Sequence, residues 1–176
     1  MGKTWLVQEF GKTQYKQMVY INFEKSTALR EMFFPDLNVK RLITNFELYA
    51  NLKITPEDTL IVLDEIQAAP RGVTSLKYFY EDAPEYQIIA AGSLLGVNAH
   101  PDESFPVGKV DCIELYPMSF SEFLLAMGEN GLARILEEKL WDVLSTFAEK
   151  FKEFLRYYFF VGGMPEVVAH FSQHRD

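Results

Sequence analysis

The chain has 176 residues, of which 48% are hydrophobic, and this is enough to fill the core of one domain. The formal net charge of -8 argues against DNA or RNA as a partner, because lysine and arginine make the phosphate contacts, although an acidic total is compatible with a local basic groove. The single cysteine, Cys112, excludes an internal disulfide and fits a reducing cytoplasm. The sequence has no signal-peptide pattern, and its apolar runs are far shorter than the roughly 18–20 residues of a membrane helix. It therefore predicts a cytoplasmic protein with no membrane partner.

Four apolar runs rich in β-forming residues predict strands at residues 18–23, 59–63, 86–91 and 110–115. The second and third runs hardly alternate between apolar and polar residues, which is typical of strands buried on both faces of a parallel sheet. Cys112 lies inside the fourth run, and we expect it to be a small buried hydrophobe.

Helical patterns lie between these strands. One covers residues 4–10, a second follows Asn38 as its N-cap, and a third runs over residues 72–82. The apolar face of the second is expected to hold Leu42, Ile43, Phe46 and Tyr49, and that of the third Leu76, Phe79 and Tyr80. This alternation of strands and helices predicts an α/β fold with a parallel sheet and crossover helices.

The last third of the chain is expected to be helical. Ser119 and Glu122 have the spacing of a capping box, and the helix that they open should end near Gly128. From Leu132 onward the pattern is helical, with a break at residues 162–163. We therefore place a core at residues 1–128 and a helical extension at residues 129–176.

Gly2, Lys3 and Thr4 match the last three positions of the phosphate-binding pattern G-x-x-x-x-G-K-[ST]. In that pattern the glycine lets the backbone approach a phosphate, the lysine offers its charge to the β- and γ-phosphates, and the hydroxyl binds Mg²⁺. The helix that follows aims its free amides at the anion. Alone the tripeptide is a weak signal, and an exposed N-terminal turn is the alternative.

A second motif ends the second strand, where four aliphatic residues are followed by Asp64 and Glu65. The carboxyl ends of parallel strands line the ligand crevice of such sheets. There Asp64 can hold the water shell of Mg²⁺, and Glu65 can orient and polarise an attacking water; a solvated acidic turn is the alternative. Ser93 follows the third strand and can either contact the γ-phosphate or the attacking water, or simply begin a loop.

Taken together, these features resemble a large bacterial and archaeal group of predicted AAA+ ATPases. The stretches that carry the resemblance are TLIVLDEIQ (59–67), SLKYF (75–79), AGSLLG (91–96), FPVGKV (105–110), LYPMSFSEFL (115–124) and GGMPEVV (162–168). The resemblance implies an α/β, three-layer P-loop NTPase core with a parallel sheet that lacks its first strand, followed by a helical extension. It also implies ATP and Mg²⁺ as ligands, with the phosphates at Gly2, Lys3 and Thr4, the metal at Thr4 and Asp64, and catalysis by Glu65, Lys3 and Ser93.

The family pattern is incomplete at both ends of the chain. The strand and half-loop expected before Gly2 are missing, as is the C-terminal domain of unknown function that usually follows. The resemblance places the missing strand between the predicted 110–115 strand and the strand before Ser93, which leaves backbone amides and carbonyls unpaired on each side. We therefore expect an ATPase in the full-length protein and weak or absent activity in these 176 residues.

Two other functions stay open. One is a non-catalytic protein-interaction module derived from a truncated ATPase, and the other is a P-loop enzyme that transfers phosphate to a small acceptor. The adjacent Asp64 and Glu65 argue against the second, since an additional carboxylate suits the activation of water. In a homo-oligomer, which the sequence leaves open, a neighbour's γ-phosphate could be reached by Arg71, Lys109 or Arg156, and a solvated cation is the alternative for each. The sequence does not specify a protein target.

Overall fold

The computed structural model describes residues 2–92 and 105–174, which form two compact units. One unit spans Lys3–Ile113, and the other holds Gly2 together with the residues from Glu114 onward. This division lies earlier in the chain than residue 128, where the sequence suggests the end of the core. The helix that opens at Phe120 packs with the later helices, and it therefore belongs to the second unit.

The first unit alternates helices and strands. In chain order it consists of α1 (Lys3–Gln14), β1 (Gln17–Asn22), α2 (Thr27–Arg30), α3 (Val39–Ala50), β2 (Thr59–Asp64), α4 (Gly72–Asp82) and β3 (Gln87–Ala91), with 3-10 turns at Glu31–Phe33 and Ile66–Ala68. The strands form one parallel sheet in the order β1-β2-β3. The predicted α/β fold with a parallel sheet is therefore confirmed.

The central strand β2 is buried along its whole length. On one face of the sheet, alternate residues of β1 and β2 pack with α3 and α4 in the main core. This core includes Val19, Ile21, Phe46, Ile61, Leu63 and Phe79. The rings of Phe46 and Phe79 are stacked with their centroids 6.3 Å apart, and this contact joins α3 to α4.

Helix α1 covers the other face of the sheet at close range through Gly11. A β-carbon at this position would lie 2.4 Å from the sulfur of Met18 and 3.3 Å from a methyl carbon of Leu60. Glycine therefore lets the helix backbone lie directly on β1 and β2. With helices on both faces, the sheet is the middle one of three layers.

Two of the predicted strands differ from the structure. The third, β3, is half-buried rather than buried on both faces, because among the described residues it pairs with β2 alone and lies at an edge of the sheet. The fourth, predicted at residues 110–115, is wrong, since these residues form no strand. Cys112 is exposed instead of buried, and Ile113 is 94% exposed. A β-rich sequence becomes a strand only where its backbone can pair with another strand, and within residues 2–92 and 105–174 this segment pairs with none.

Helices α3 and α4 begin and end close to their predicted bounds, whereas α1 continues to Gln14, beyond its predicted end at residue 10, and α2 was not predicted. Asn38 caps α3, and its side chain accepts a hydrogen bond from the backbone amide of Arg41 at 3.0 Å. Tyr49 and Tyr80, predicted on the apolar faces of α3 and α4, are exposed. A tyrosine at the margin of an apolar face can keep its polar tip in water, which the helical period alone does not reveal.

The second unit consists of helices packed around their own core. They are α5 (Phe120–Ala126), α6 (Asn130–Glu137), α7 (Trp141–Thr146), α8 (Ala148–Val161) and α9 (Pro165–His174). The buried residues of this core are Phe123, Leu124, Leu132, Ala133, Ile135, Phe151, Phe154 and Val168. The predicted break after α8 is present, and there the carbonyl of Gly163 accepts a hydrogen bond from the amide of Met118 at 2.7 Å. Across the described ranges, no helix combines the length and the apolar character that crossing a bilayer requires.

The capping box predicted at the start of α5 is confirmed. The Ser119 hydroxyl accepts a hydrogen bond from the Glu122 amide at 3.3 Å, and the Glu122 carboxylate accepts one from the Ser119 amide at 2.6 Å. The hydrogen bond from the Ser119 backbone holds the pKa of Glu122 below its ordinary value of 4.5. Because the pKa is lower in the folded state, this carboxylate stabilises the fold above pH values near 4.5 and loses that contribution as the pH falls through the lowered value.

Replacing Gly11 with leucine should lower the free energy of unfolding by about 1–3 kcal/mol, because the added carbons overpack the contact between α1 and the sheet. Chemical denaturation followed by circular dichroism measures this change. Gly131→Leu in α6 is the matched control, and it should stay near wild-type stability. Outside its chain neighbours and its own helix backbone, no atom of the described residues lies within 4 Å of a β-carbon added there. Equal stability of the two variants would contradict the close packing of α1.

Ser119→Ala should destabilise the second unit by about 1 kcal/mol, the usual effect of losing an N-cap hydroxyl. Glu122→Ala should also destabilise it at neutral pH, and the difference from wild type should shrink below pH 4.5 as the wild-type carboxylate becomes protonated. Thermal unfolding at a series of pH values measures both effects. A difference that widens in acid would show that the Glu122 carboxylate does not stabilise this helix.

Candidate functional site

Asp64, the last residue of β2, is only 2% exposed although it carries an ionisable carboxyl group. Its Oδ2 accepts hydrogen bonds from Thr4 Oγ1 at 3.3 Å, from Asn22 Nδ2 at 3.2 Å and from the hydroxyl of Tyr20. Its Oδ1 accepts one from the backbone amide of Glu65 at 3.2 Å. A buried carboxylate is costly unless hydrogen bonds replace the water that it loses, and these donors supply that compensation.

The side-chain donors come from two elements that meet at the carboxyl end of β2. Thr4 lies in the first turn of α1, 60 positions before Asp64 in the sequence. Tyr20 and Asn22 lie in β1, where they share the face of the sheet that α1 covers, and Asn22 is in register with Asp64. The parallel pairing of β1 with β2 and the docking of α1 therefore assemble the site.

Lys3 is the first residue of α1, directly before Thr4. Its Nζ is buried and has no hydrogen-bond partner in the part of the chain that the structure describes. A buried ammonium group without a partner is costly, and an anion is the kind of group that would compensate it. Gly2 precedes it with a φ of 69°, in the left-handed region that favours glycine.

Glu65 turns the chain sharply at the end of β2. Its φ of 52° is uncommon for a residue other than glycine, and such backbone conformations are enriched at functional sites. The 3-10 turn that follows carries Gln67, whose Nε2 donates a hydrogen bond to Glu65 Oε2 at 2.5 Å. One oxygen of the half-buried Glu65 carboxylate is thus held by the same turn.

The remaining predicted residues are placed elsewhere or are not described. Ser93 lies outside the described residues. Arg71 donates hydrogen bonds to the carbonyls of Phe33 at 3.2 Å and Phe34 at 3.1 Å. Lys109 pairs with Glu81 at 3.4 Å and also lies over the ring of Tyr80, and Arg156 is exposed on α8. Arg71 and Lys109 therefore have partners within the first unit.

Tyr20, Asn22 and Gln67 belong to the site, although the sequence analysis did not select them. A signal for Asn22 was available, because it ends an apolar strand in the same way as Asp64, and parallel strands bring such ends together. Tyr20 lies two residues earlier on the same strand, so its side chain is on the same face as that of Asn22. Burial raises the pKa of Tyr20, and its hydrogen bond to Asp64 adds to this effect, so the phenol stays protonated and remains a donor at neutral pH.

The oxygen donors at this strand end suit a hard cation such as Mg²⁺. This ion commonly uses one or two protein oxygens and completes its shell with water and substrate phosphates. The described ranges contain no group of three or more histidine, cysteine or acidic side chains able to hold a metal. Water and phosphate oxygens would therefore have to complete the shell of an ion bound here. For an anion, the buried Lys3 amine and the free amides at the start of α1 supply donors.

Two surface cavities, of about 480 and 450 Å³, lie along α3 and are lined by none of Lys3, Thr4, Asp64 or Glu65. Neither of these two cavities therefore lies at the converging polar groups. The converging polar groups define the site, because the buried Asp64 carboxylate is hydrogen-bonded to Thr4 of α1, and the neighbouring Lys3 amine is buried without a partner among the described residues.

A family model described as an AAA domain matches residues 1–124, a span that includes α1, β2 and both carboxylates. No curated protein and no solved structure matches the chain. The chain therefore belongs to the AAA domain family, a family of nucleotide-binding domains of the P-loop ATPase type.

Proposed function

We propose that the chain binds ATP together with Mg²⁺ at the carboxyl end of β2 and hydrolyses it by attack of water on the γ-phosphate. The observation that carries this proposal is the hydrogen bond from Thr4 to Asp64 at 3.3 Å. It joins the Gly-Lys-Thr tripeptide to the acidic end of β2, and these are the two groups that a P-loop ATPase needs in one place.

Lys3 and the start of α1 bind the phosphates in this proposal. The Nζ of Lys3 is buried without a partner in residues 2–92 and 105–174, so a phosphate oxygen would complete its hydrogen bonds. Gly2 carries no side chain that would obstruct the approach of a phosphate to the backbone. The first-turn amides of α1 are free to donate, and no acidic residue in that turn competes with the anion.

Thr4 and Asp64 hold the metal. The Thr4 hydroxyl can offer an oxygen lone pair to a cation while its proton remains in the hydrogen bond to Asp64. Bound there, Mg²⁺ would neutralise negative charge on the phosphates. Asp64 holds Thr4 in place and accepts hydrogen bonds from the water shell of the ion.

Glu65 orients the attacking water and accepts its proton. Gln67 binds Oε2 of this carboxylate, which leaves Oε1 to accept a hydrogen bond from a water. Ser93, at the start of the segment after β3, contacts the γ-phosphate or that water in this proposal. The products are ADP and inorganic phosphate.

Lys3→Ala should weaken ATP binding by roughly 10-fold or more, because it removes a charge-assisted hydrogen bond to the phosphates. Isothermal titration calorimetry with ATP and Mg²⁺ measures the affinity. Lys12→Ala is the matched control, since Lys12 lies in the last turn of the same helix and is exposed. If both variants bind ATP as the wild type does, the phosphates do not lie at Lys3.

Glu65→Gln should retain ATP binding and reduce turnover by about 100-fold or more, because the amide cannot accept the proton of the attacking water. Release of inorganic phosphate, together with the calorimetric affinity, separates the two effects. Absence of phosphate release from the wild type itself would favour the non-catalytic interaction module, and an unchanged measurable rate in the variant would show that Glu65 does not activate the water. A phosphorylated small molecule in place of free phosphate would favour transfer to an acceptor.

A further inference from the structure

The Oδ2 atom of Asp64 is shared by more donors than one carboxylate oxygen accommodates well. An ionised carboxylate offers about four acceptor positions on its two oxygens. Here Oδ2 alone accepts from Thr4, Tyr20 and Asn22, while Oδ1 accepts from the amide of Glu65. A cation bound at Thr4, or a water of its shell, that approaches Oδ2 of Asp64 must therefore displace one of these donors.

Two of the three donors to Oδ2 have reasons to stay. Thr4 can bind a cation through its oxygen and still donate its proton to Asp64. Asn22 is held from its other side, because its Oδ1 accepts a hydrogen bond from the backbone amide of Glu24 at 3.0 Å. Its amide group is thereby fixed by the turn that follows β1.

The hydroxyl of Tyr20, unlike the side chain of Asn22, makes no hydrogen bond to the backbone of the described residues. It carries one proton, which can turn away from Asp64 by rotation about the bond between the ring and the oxygen. The hydroxyl also lies within reach of the side chains of Asn22 and Thr4, which share Asp64 with it. The Nζ of Lys25 lies 5.9 Å from the centroid of the ring and contacts the ring face. That contact does not depend on the direction of the hydroxyl proton.

We propose that Tyr20 competes with Mg²⁺ for Asp64 and so lowers the affinity of the site for the metal. This inference rests on the proposed function, which assigns Mg²⁺ to Thr4 and Asp64. The phenol occupies the oxygen that the ion or its water needs, and as a donor it also draws negative charge from the carboxylate. Three other donors still orient Asp64, so the carboxylate keeps its position when the phenol leaves.

This competition has a consequence for the order of binding. Free Mg²⁺ has few protein ligands here and has to displace the phenol, so it binds weakly. An ion that arrives with ATP is held by the phosphates as well, and this additional binding is enough to displace Tyr20. The phenol thus favours the joint binding of metal and nucleotide over the binding of metal alone.

Tyr20→Phe tests the inference, because it removes the hydroxyl and keeps the ring. The Mg²⁺ concentration that gives half-maximal ATP binding in calorimetry should fall by roughly threefold to tenfold, as expected when one hydrogen bond to a charged group no longer competes. ATP affinity in the presence of EDTA should not change. The melting temperature without metal should fall, since Asp64 loses a donor. A residue with only a structural role would leave Mg²⁺ affinity unchanged or weaken it.

Tyr86→Phe is the matched control. Tyr86 is half-buried against the main core just before β3, at the end of the sheet opposite Asp64. Its loss of a hydroxyl should leave the Mg²⁺ dependence of ATP binding at the wild-type value. A comparable shift in both variants would assign the effect to general loosening of the core and overturn the inference.

A second measurement covers the case in which Tyr20→Phe does not fold. With 3-fluorotyrosine at position 20 of an otherwise wild-type chain, the ¹⁹F resonance should move when Mg²⁺ is added to the ATP-bound protein. A resonance that stays in place while Mg²⁺ binds overturns the competition. If the wild-type chain binds no ATP at any Mg²⁺ concentration, the proposed function itself fails; if it binds ATP and Tyr20→Phe does not tighten Mg²⁺ binding, this inference alone fails.

Discussion

The hydrogen bonds that converge on the Asp64 carboxylate connect the start of α1 to the end of the central strand. At 2% exposure this group has lost nearly all of its water, and its charge is compensated by the side chains of Thr4, Tyr20 and Asn22 and by the amide of Glu65. The donors from α1 and β1 can reach it only if both elements are docked on β2. The buried Asp64 carboxylate is therefore compensated only when α1 and the sheet are assembled.

The packing around Gly11, which lies away from Asp64 on α1, stabilises the docking of α1 on the sheet. Because glycine lets α1 lie directly on β1 and β2, the first turn of the helix is held over the carboxyl ends of the strands. The uniform burial of β2 has the same origin, since it requires a helix on each face of the sheet. The close packing at Gly11 and the burial of β2 thus determine where Thr4 and its neighbour Lys3 lie.

The site also contains groups that the protein alone leaves incompletely satisfied. The Lys3 amine is buried without a hydrogen-bond partner among the described residues, and Glu65 has a backbone conformation that is unusual outside glycine. Selection for stability alone would tend to remove such features. In an AAA domain they are consistent with a site whose charges are completed by a bound nucleotide.

The sequence by itself determined the parts of this protein that depend on local chemistry. Helix period and caps predicted α3, α4 and the capping box at Ser119 and Glu122, apolar runs predicted three strands, and the Gly2–Thr4 tripeptide with the Asp64–Glu65 pair indicated the family. Only the tertiary structure decided that Tyr20 and Asn22 surround Asp64, that β3 is half-buried and that residues 110–115 form no strand. Each of these features depends on which distant segment of the chain packs beside the residue concerned. The residue type alone does not specify which partner will share its hydrogen bonds.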